Sequence, residues 1–156
     1  IRKMIPKAIL RTTVIVGFPH ETEEDFNQLL ALIHTCEFDR LGAFMYSNEE
    51  DTHAATLDNQ VDQPTMQRRY DRLMKEQQII AHRRSKSRIG ETTYAYIEGY
   101  DTKLKRYKAR DYSFAPDQID GYIYVHSNQP CTNGQRVLVQ IDDGYFYDLL
   151  ATKLDD

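Results

Sequence analysis

Between Ile9 and Val16 the chain is β-branched and apolar, interrupted only by Arg11, Thr12 and Thr13, which is the composition of a strand covered on both faces. Side chains alternate along a strand, so Arg11, Thr13, Ile15 and Gly17 share one face while Leu10, Thr12, Val14 and Val16 share the other. The second set is apolar apart from one threonine and suits a layer of helices; the Arg11/Thr13 face is then the inside of a parallel barrel. A Gly17-Phe18-Pro19 turn follows. Thr22 with Asp25 forms a capping-box signal, and Phe26, Leu29, Leu30 and Ile33 recur at helical spacing behind it. The segment 38–47, FDRLGAFMYS, reads as a second strand, and the connection is long enough for a right-handed crossover that sets it parallel to the first.

From Thr65 to about Lys86 the period is helical, with Met66, Tyr70, Leu73, Met74, Gln77 and Ile80 on one face, and it dissolves at RRSKSRIG. Beyond that linker, 85–90, the pattern turns to short runs rich in Tyr, Ile, Val and Thr, punctuated by Gly, Asn, Pro and Asp: TTYAYIEGY, GYIYVHS, QRVLVQID and YFYDLLATKL. About five strands closing into a small barrel account for them. The fold class is therefore α/β followed by all-β, with domains at 1–86 and 87–156, and loops at 59–64 and 129–134.

A parallel βα unit locates a ligand site. Small molecules dock beyond the carboxyl ends of parallel strands, where loop backbone and helix amino termini supply free donors and acceptors. Here that position is Gly17 to Glu21, and Glu21 itself reads as a helix-start carboxylate favoured by the macrodipole. Length, 156 residues, allows two minimal domains, and no apolar run approaches a bilayer span. Such a chain reads as soluble and cytoplasmic. The net charge of −4 hides a segregation: 82–110 holds nine basic residues against three acidic, and from Asp111 onward eight acidic stand against two basic. The barrel is expected to be bipolar. Cys36 and Cys131 lie far apart, so neither an iron–sulfur cluster nor a zinc site can be assembled from cysteine within one chain. His34, His53, His82 and His126 lack ligand-like spacing.

Several runs resemble one family. TTVIVGFP, ETEEDF, FDRLGAFMYSNEEDT and RRYDRLMKEQQ are similar to the carboxyl-terminal part of the radical S-adenosylmethionine methylthiotransferases, and RDYSFAPDQIDGYIYV with the late YDLLAT resembles the TRAM domain that ends them. The wording at FDRLGAF, RYDRLM and R-x4-AP-x2-IDG is similar to the RimO branch, which modifies a ribosomal protein.

The resemblance implies the end of a radical S-adenosylmethionine barrel (last two parallel strands with their helices) followed by an OB-like TRAM barrel. It implies that Arg11, Thr13, Ile15 and Gly17, with the backbone at Met45 and Tyr46, line part of an S-adenosylmethionine pocket. The two 4Fe-4S clusters of such an enzyme would be held by cysteines upstream of Ile1. The substrate would be an aspartate β-carbon in a small-subunit ribosomal protein, docked on the TRAM domain at Arg110, Asp117, Asp120, Asp142 and Asp143, whose acidic members suit a basic target. This chain contributes no catalytic residue of its own and is expected to be inert alone. His20 stands where the family has glycine, so a left-handed turn there would strain it.

Two other readings compete: part of a tRNA methylthiotransferase of the MiaB kind, and a non-enzymatic TRAM protein binding RNA through the Lys103–Arg110 cluster and Tyr100, Tyr107 and Tyr112. A barrel cut before Ile9 exposes an apolar strand edge, which predicts self-association of the isolated chain. Sedimentation at high concentration is expected to show oligomers, and a clean monomer would count against it.

Overall fold

Strands β1 (Arg11–Val16) and β2 (Arg40–Met45) pair in parallel, Arg11 opposite Arg40 and Val16 opposite Met45, across helix α1 (Glu23–Cys36). In this computed structural model, which describes residues 1–115 and 119–154, the chain divides into two compact units, Ile1–Ile80 and Ala81–Asp156. The crossover expected from the sequence is present. Both strands are shorter than the apolar runs that encode them, because Leu10 spends its backbone on the loop before β2. Its N–H donates to Asp39 Oδ2 at 2.8 Å, and its carbonyl accepts from the N–H groups of Asp39 and Arg40.

The α1 start follows the capping box: Thr22 Oγ1 accepts from Asp25 N–H at 3.1 Å, while Asp25 Oδ2 accepts from Thr22 N–H at 2.9 Å. The Thr22 hydroxyl, which donates to Asp25 Oδ2 at 2.6 Å, and after it the Thr22 N–H hold the Asp25 carboxyl below its ordinary range. At the other end Arg2 donates to the carbonyls of Cys36 and Glu37, occupying acceptors that the last turn leaves open. A 3₁₀ turn at His53–Thr56 leads to α2 (Gln63–Lys86), whose start is tied by Asp62 accepting from Thr65 N–H at 2.9 Å. Phe26, Leu30, Ile33, Leu73 and Ile80 close over Val16, Leu41 and Ala43 to form the first core. Gln77 is fully buried there and donates to the Phe38 carbonyl at 2.9 Å.

The second unit is a closed barrel in the order β3-β4-β5-β7-β6: β3 (Thr92–Asp101), β4 (Arg106–Arg110), β5 (Ile123–His126), β6 (Arg136–Gly144) and β7 (Leu149–Lys153). All neighbours are antiparallel except β5 and β7. Inward positions alternate strictly: Ala95 and Ile97, Ala109, Ile123 and Val125, Val137, Val139 and Ile141, Leu149 and Ala151 make one core. Five strands and closure are what the spacing of turn residues led one to expect. Closure matters because it leaves no edge strand to recruit another chain.

Helical periodicity continues to Lys86, yet the contacts group Ala81 onward with the barrel. Ser85 Oγ donates to the Phe146 carbonyl at 2.9 Å, Lys86 Nζ lies 2.5 Å from Asp143 Oδ1, and Gly90 N–H donates to the Ile141 carbonyl at 2.8 Å. Gly144 makes this possible. A Cβ built there would sit 2.5 Å from the Ser85 carbonyl carbon and 2.9 Å from Lys86 N. Backbone cannot rotate aside as a side chain can, so Gly144→Ala is expected to destabilise the barrel by about 2–3 kcal/mol, the upper range for overpacking. Urea denaturation of the two proteins measures it.

Candidate functional site

The turn after β1 is held by one carboxylate. Gly17 has φ of +79°, the left-handed region open to glycine, and its N–H donates to Glu21 Oε2 at 3.0 Å. The other oxygen, Oε1, lies 2.7 Å from Arg69 Nη1 on α2, and both side chains are about nine-tenths buried. The same guanidinium donates to the Glu21 carbonyl at 3.1 Å, reaches Glu23 at 3.4 Å and lies over the Phe26 ring. Glu21 is thus more than the helix-start carboxylate its position suggested. It couples the turn to α2.

His20 takes a φ of +70° and fulfils the condition under which strain was expected there. Its N–H donates to the Asn59 carbonyl at 3.1 Å, and its Nδ1 lies 3.2 Å from Asn59 Nδ2, so two hydrogen bonds offset the left-handed backbone. Beside it Phe18 meets the edge of Tyr46 with centroids 5.4 Å apart, and Tyr46 N–H donates to the Val16 carbonyl at 2.9 Å.

On the sheet, Thr12, Val14 and Val16 face the helices, whereas Arg11, Thr13 and Ile15 are exposed with their register partners Gly42 and Phe44. Ile15 is 53% and Phe44 63% exposed, an apolar pair on a face that no helix of this unit covers. Met45 points to the opposite side and packs on the core, so only its backbone and sulfur edge belong to the strand end. Past that end Met45, Tyr46, Asn48, Val61, Gln63 and Met66 border an open cleft of about 490 Å³. Arg11, Thr13 and Ile15 therefore share one face, Gly17 turns at its rim, and Tyr46 stands across from Phe18.

Of the five docking residues, those described are engaged within the chain. Arg110 is engaged with Glu98. Asp117 lies outside the described residues. Asp120 is 5% exposed and accepts from Ala115 N–H at 2.6 Å, so its carboxylate serves the loop and leaves little surface for a partner. Asp143 pairs with Lys86, which together with the Gly144 N–H lowers its pKa, and Asp142 is exposed and accepts from Thr152 Oγ1. The linear charge segregation is also partly cancelled in space. Arg88 donates to Asp111 at 2.6 Å, to Glu91 at 2.8 Å and to Ser113 at 2.7 Å, and Lys86 and Arg88 thereby neutralise acids from the acidic half of the sequence.

Sequence reasoning missed Arg69, Phe44, Tyr94, Tyr96 and Arg136. Arg69 was legible: it stands three residues after Met66 and four before Leu73, on the buried stripe, where only a charged partner could keep it. Phe44 follows from alternation opposite Ile15. Tyr94, Tyr96 and Arg136 cluster only through strand register, with the Arg136 guanidinium 3.7 Å over the Tyr94 ring.

Among known proteins, a family model for the TRAM domain matches residues 89–153. Over 154 residues, 99% of this chain, it is 45% identical to a Clostridioides difficile protein named ribosomal protein uS12 methylthiotransferase RimO. It is 41% identical over 156 residues, again 99% of the chain, to a protein of the same name from Syntrophotalea carbinolica, and 40% identical over 149 residues, 96% of the chain, to one from Thermodesulfovibrio yellowstonii. The chain spans about a third of the length of these relatives, 34% of each.

Removing one member of a buried pair strands the other. Arg69→Met is expected to lower stability by about 3 kcal/mol, and the double variant with Glu21→Gln to recover most of it. A thermodynamic cycle from urea melts checks the coupling; additive losses would show that the two side chains act separately.

Proposed function

The chain corresponds to the carboxyl-terminal region of the RimO methylthiotransferases, and on that premise we propose that it serves a radical S-adenosylmethionine enzyme which methylthiolates the β-carbon of an aspartate in ribosomal protein uS12. The observation that carries this reading is identity of 38–45% running through nearly the whole chain, both units included. In this reading Ile1–Ile80 is the end of a parallel β/α barrel. The helix-free face bearing Arg11, Thr13 and Ile15 looks into it, and neighbouring strands cover the exposed Ile15 and Phe44.

The residues fit S-adenosylmethionine chemically. Ile15 and Phe44 offer apolar surface to an adenine ring, and the strand end at Met45 and Tyr46 offers peptide groups, while Gly17, whose side-chain space is taken by Met66, shapes the turn at the rim. When bound to a reduced cluster this cofactor supplies a carbon radical able to abstract hydrogen, and the protein's part is to orient it and exclude water. Cluster ligands are not furnished here: among the described residues no group of three metal-binding side chains occurs. The 4Fe-4S clusters belong to another part of the enzyme in this proposal. The TRAM barrel is the docking module in this proposal, with exposed Asp142 and half-exposed Asp143 the acidic groups offered to a basic protein, while buried Asp120 serves the loop instead. No helix among the described residues is long and apolar enough to cross a membrane; the cytoplasmic location belongs to the proposal through its ribosomal substrate.

The test is a chimera in which this chain replaces the matching region of the Clostridioides difficile relative. It is expected to methylthiolate uS12, read by mass spectrometry of the ribosomal protein. The variant Ile15→Asp is expected to lose S-adenosylmethionine binding in the same chimera. A folded, cluster-loaded chimera that modified tRNA and left uS12 untouched would overturn the proposal in favour of the tRNA-modifying branch.

A further inference from the structure

The two helices of the first unit border a pocket that shares no residue with the cleft at the strand end. On α2, Thr65, Arg68, Arg69 and Arg72 fall at offsets of three and four and so share one stripe, while on α1 Glu23 and Phe26 stand one turn apart and meet it. These six residues line a cavity of about 240 Å³, three guanidinium groups against one carboxylate.

The carboxylate shows where an anion sits. Glu23 Oε2 lies 3.4 Å from Arg69 Nη2 and Oε1 lies 3.7 Å from Arg72 Nη1, so one oxyanion spans two guanidiniums at separations well beyond the roughly 2.8 Å of a closed charge-assisted bond. Its side chain is 64% exposed and can leave this position with little loss of buried surface. The guanidiniums are better fixed. Arg69 is nine-tenths buried, its Nη1 is committed to Glu21, and its Nε is enclosed without a hydrogen-bond partner among the described residues. Arg69 and Arg72 both lie over the Phe26 ring, at 5.7 and 5.6 Å from its centroid, which orients them without using a hydrogen bond. Besides Glu23, Arg72 reaches only Asn27 Oδ1, at 3.5 Å. Arg68 donates to Thr65 Oγ1 at 2.8 Å and has no carboxylate at ion-pair distance among the described residues. Two further acids feel these cations, but each is committed to a helix start, Asp25 accepting from Thr22 and Asp62 from Thr65. Glu21 balances Arg69, so Arg68 and Arg72 are left in surplus once Glu23 swings out.

We propose that this α1–α2 pocket binds a phosphate group, with Arg68 and Arg72 meeting its oxygens from the exposed side, Arg69 Nη2 from the buried side, and Glu23 as the internal carboxylate it displaces. A tetrahedral dianion presents oxygens in more directions than a carboxylate and carries twice its charge, so it satisfies three guanidiniums where Glu23 half-satisfies two. The Phe26 ring is already covered by arginine, and the cavity has room for the phosphoryl group alone. The ligand is therefore inorganic phosphate or the terminal phosphate of an ester whose remainder stays in solvent. Arg69 belongs to both arrangements, so a phosphate held here acts on the same guanidinium that fixes the Gly17 turn. The site goes beyond the methylthiotransferase reading and does not rest on it.

Titration of the full chain with sodium phosphate, followed by nitrogen–proton NMR of the arginine Nε–H groups, tests it at about pH 8, where the dianion prevails, with ionic strength held constant by chloride. Saturable shifts with Kd of about 0.1–10 mM are expected, the affinity of a small anion held by a few charge-assisted bonds. Glu23→Gln is expected to tighten binding about fivefold by removing the competing carboxylate, whereas Arg68→Gln and Arg72→Gln each weaken it about tenfold. A purely structural role for these side chains gives no such opposite signs, and circular dichroism melts confirm that each variant folds. Adenosine monophosphate as a second titrant separates the sources: affinity equal to that of inorganic phosphate assigns an ester, and binding of inorganic phosphate alone assigns the free anion, the site standing in both cases. Absence of saturable shifts at about 50 mM phosphate overturns the proposal, as does binding untouched by both Arg68→Gln and Arg72→Gln. Binding by Glu23→Gln alone also overturns it, since Glu23 is then the pocket's own permanent anion. None of these outcomes touches the chimera assay, so the two ideas fail separately.

Discussion

The first unit depends on a carboxylate that serves two masters. Glu21 takes the Gly17 N–H with one oxygen and the Arg69 guanidinium with the other, in a place where water reaches neither side chain freely. A buried pair of this kind is a poor source of net stability, since desolvation offsets much of the attraction. Its value is geometric. Gly17 needs a left-handed backbone, Met66 of α2 presses against the space where a side chain would stand, and the ion pair fixes helix and turn in one arrangement. Without it the carboxyl end of β1, where a ligand would approach, has no fixed shape.

The barrel reaches rigidity by a different route. Its inward positions are alanine or β-branched residues apart from Leu149, in strict alternation, and its polar networks lie outside that core: Arg88 with Asp111 and Ser113, Asp120 with the loop backbone, Lys86 with Asp143. Each of these acids comes from the stretch that looked like an acidic pole in the linear sequence. Folding consumes them internally, so counting charges by segment overstates the acidic face and understates how cleanly the cations of the β3–β4 hairpin stand out.

Element type and order were legible because periodicity reports burial directly. The capped α1, the parallel β1–β2 pair and the five-stranded closure all follow from alternation, helical spacing and turn residues. So did the open face of β1, from the polarity of Arg11 and Thr13. What could not be read was which side chain met which across strands. Tyr96 acquires its two arginine neighbours through pairing with β4 and β6, fourteen and forty residues away, and past Ile97 the Glu98 bulge shifts the register of β3 with β4. Asp120 looked like a surface acid because nothing local reveals that a loop N–H needs an acceptor.

Alternation also explains why the two surfaces of interest differ in kind. On β1 and β2 the exposed row carries Ile15 and Phe44, bulky apolar groups that water tolerates poorly and that a further layer of protein or a flat apolar ligand would cover. On β3 the exposed row carries Tyr94 and Tyr96, rings with a polar tip, set beside guanidinium groups that lie flat against aromatic faces. A surface of the first sort is unfinished without a neighbour. The second needs no covering layer, because the guanidinium group stacked on the ring and the polar tips of the tyrosines suit it to solvent.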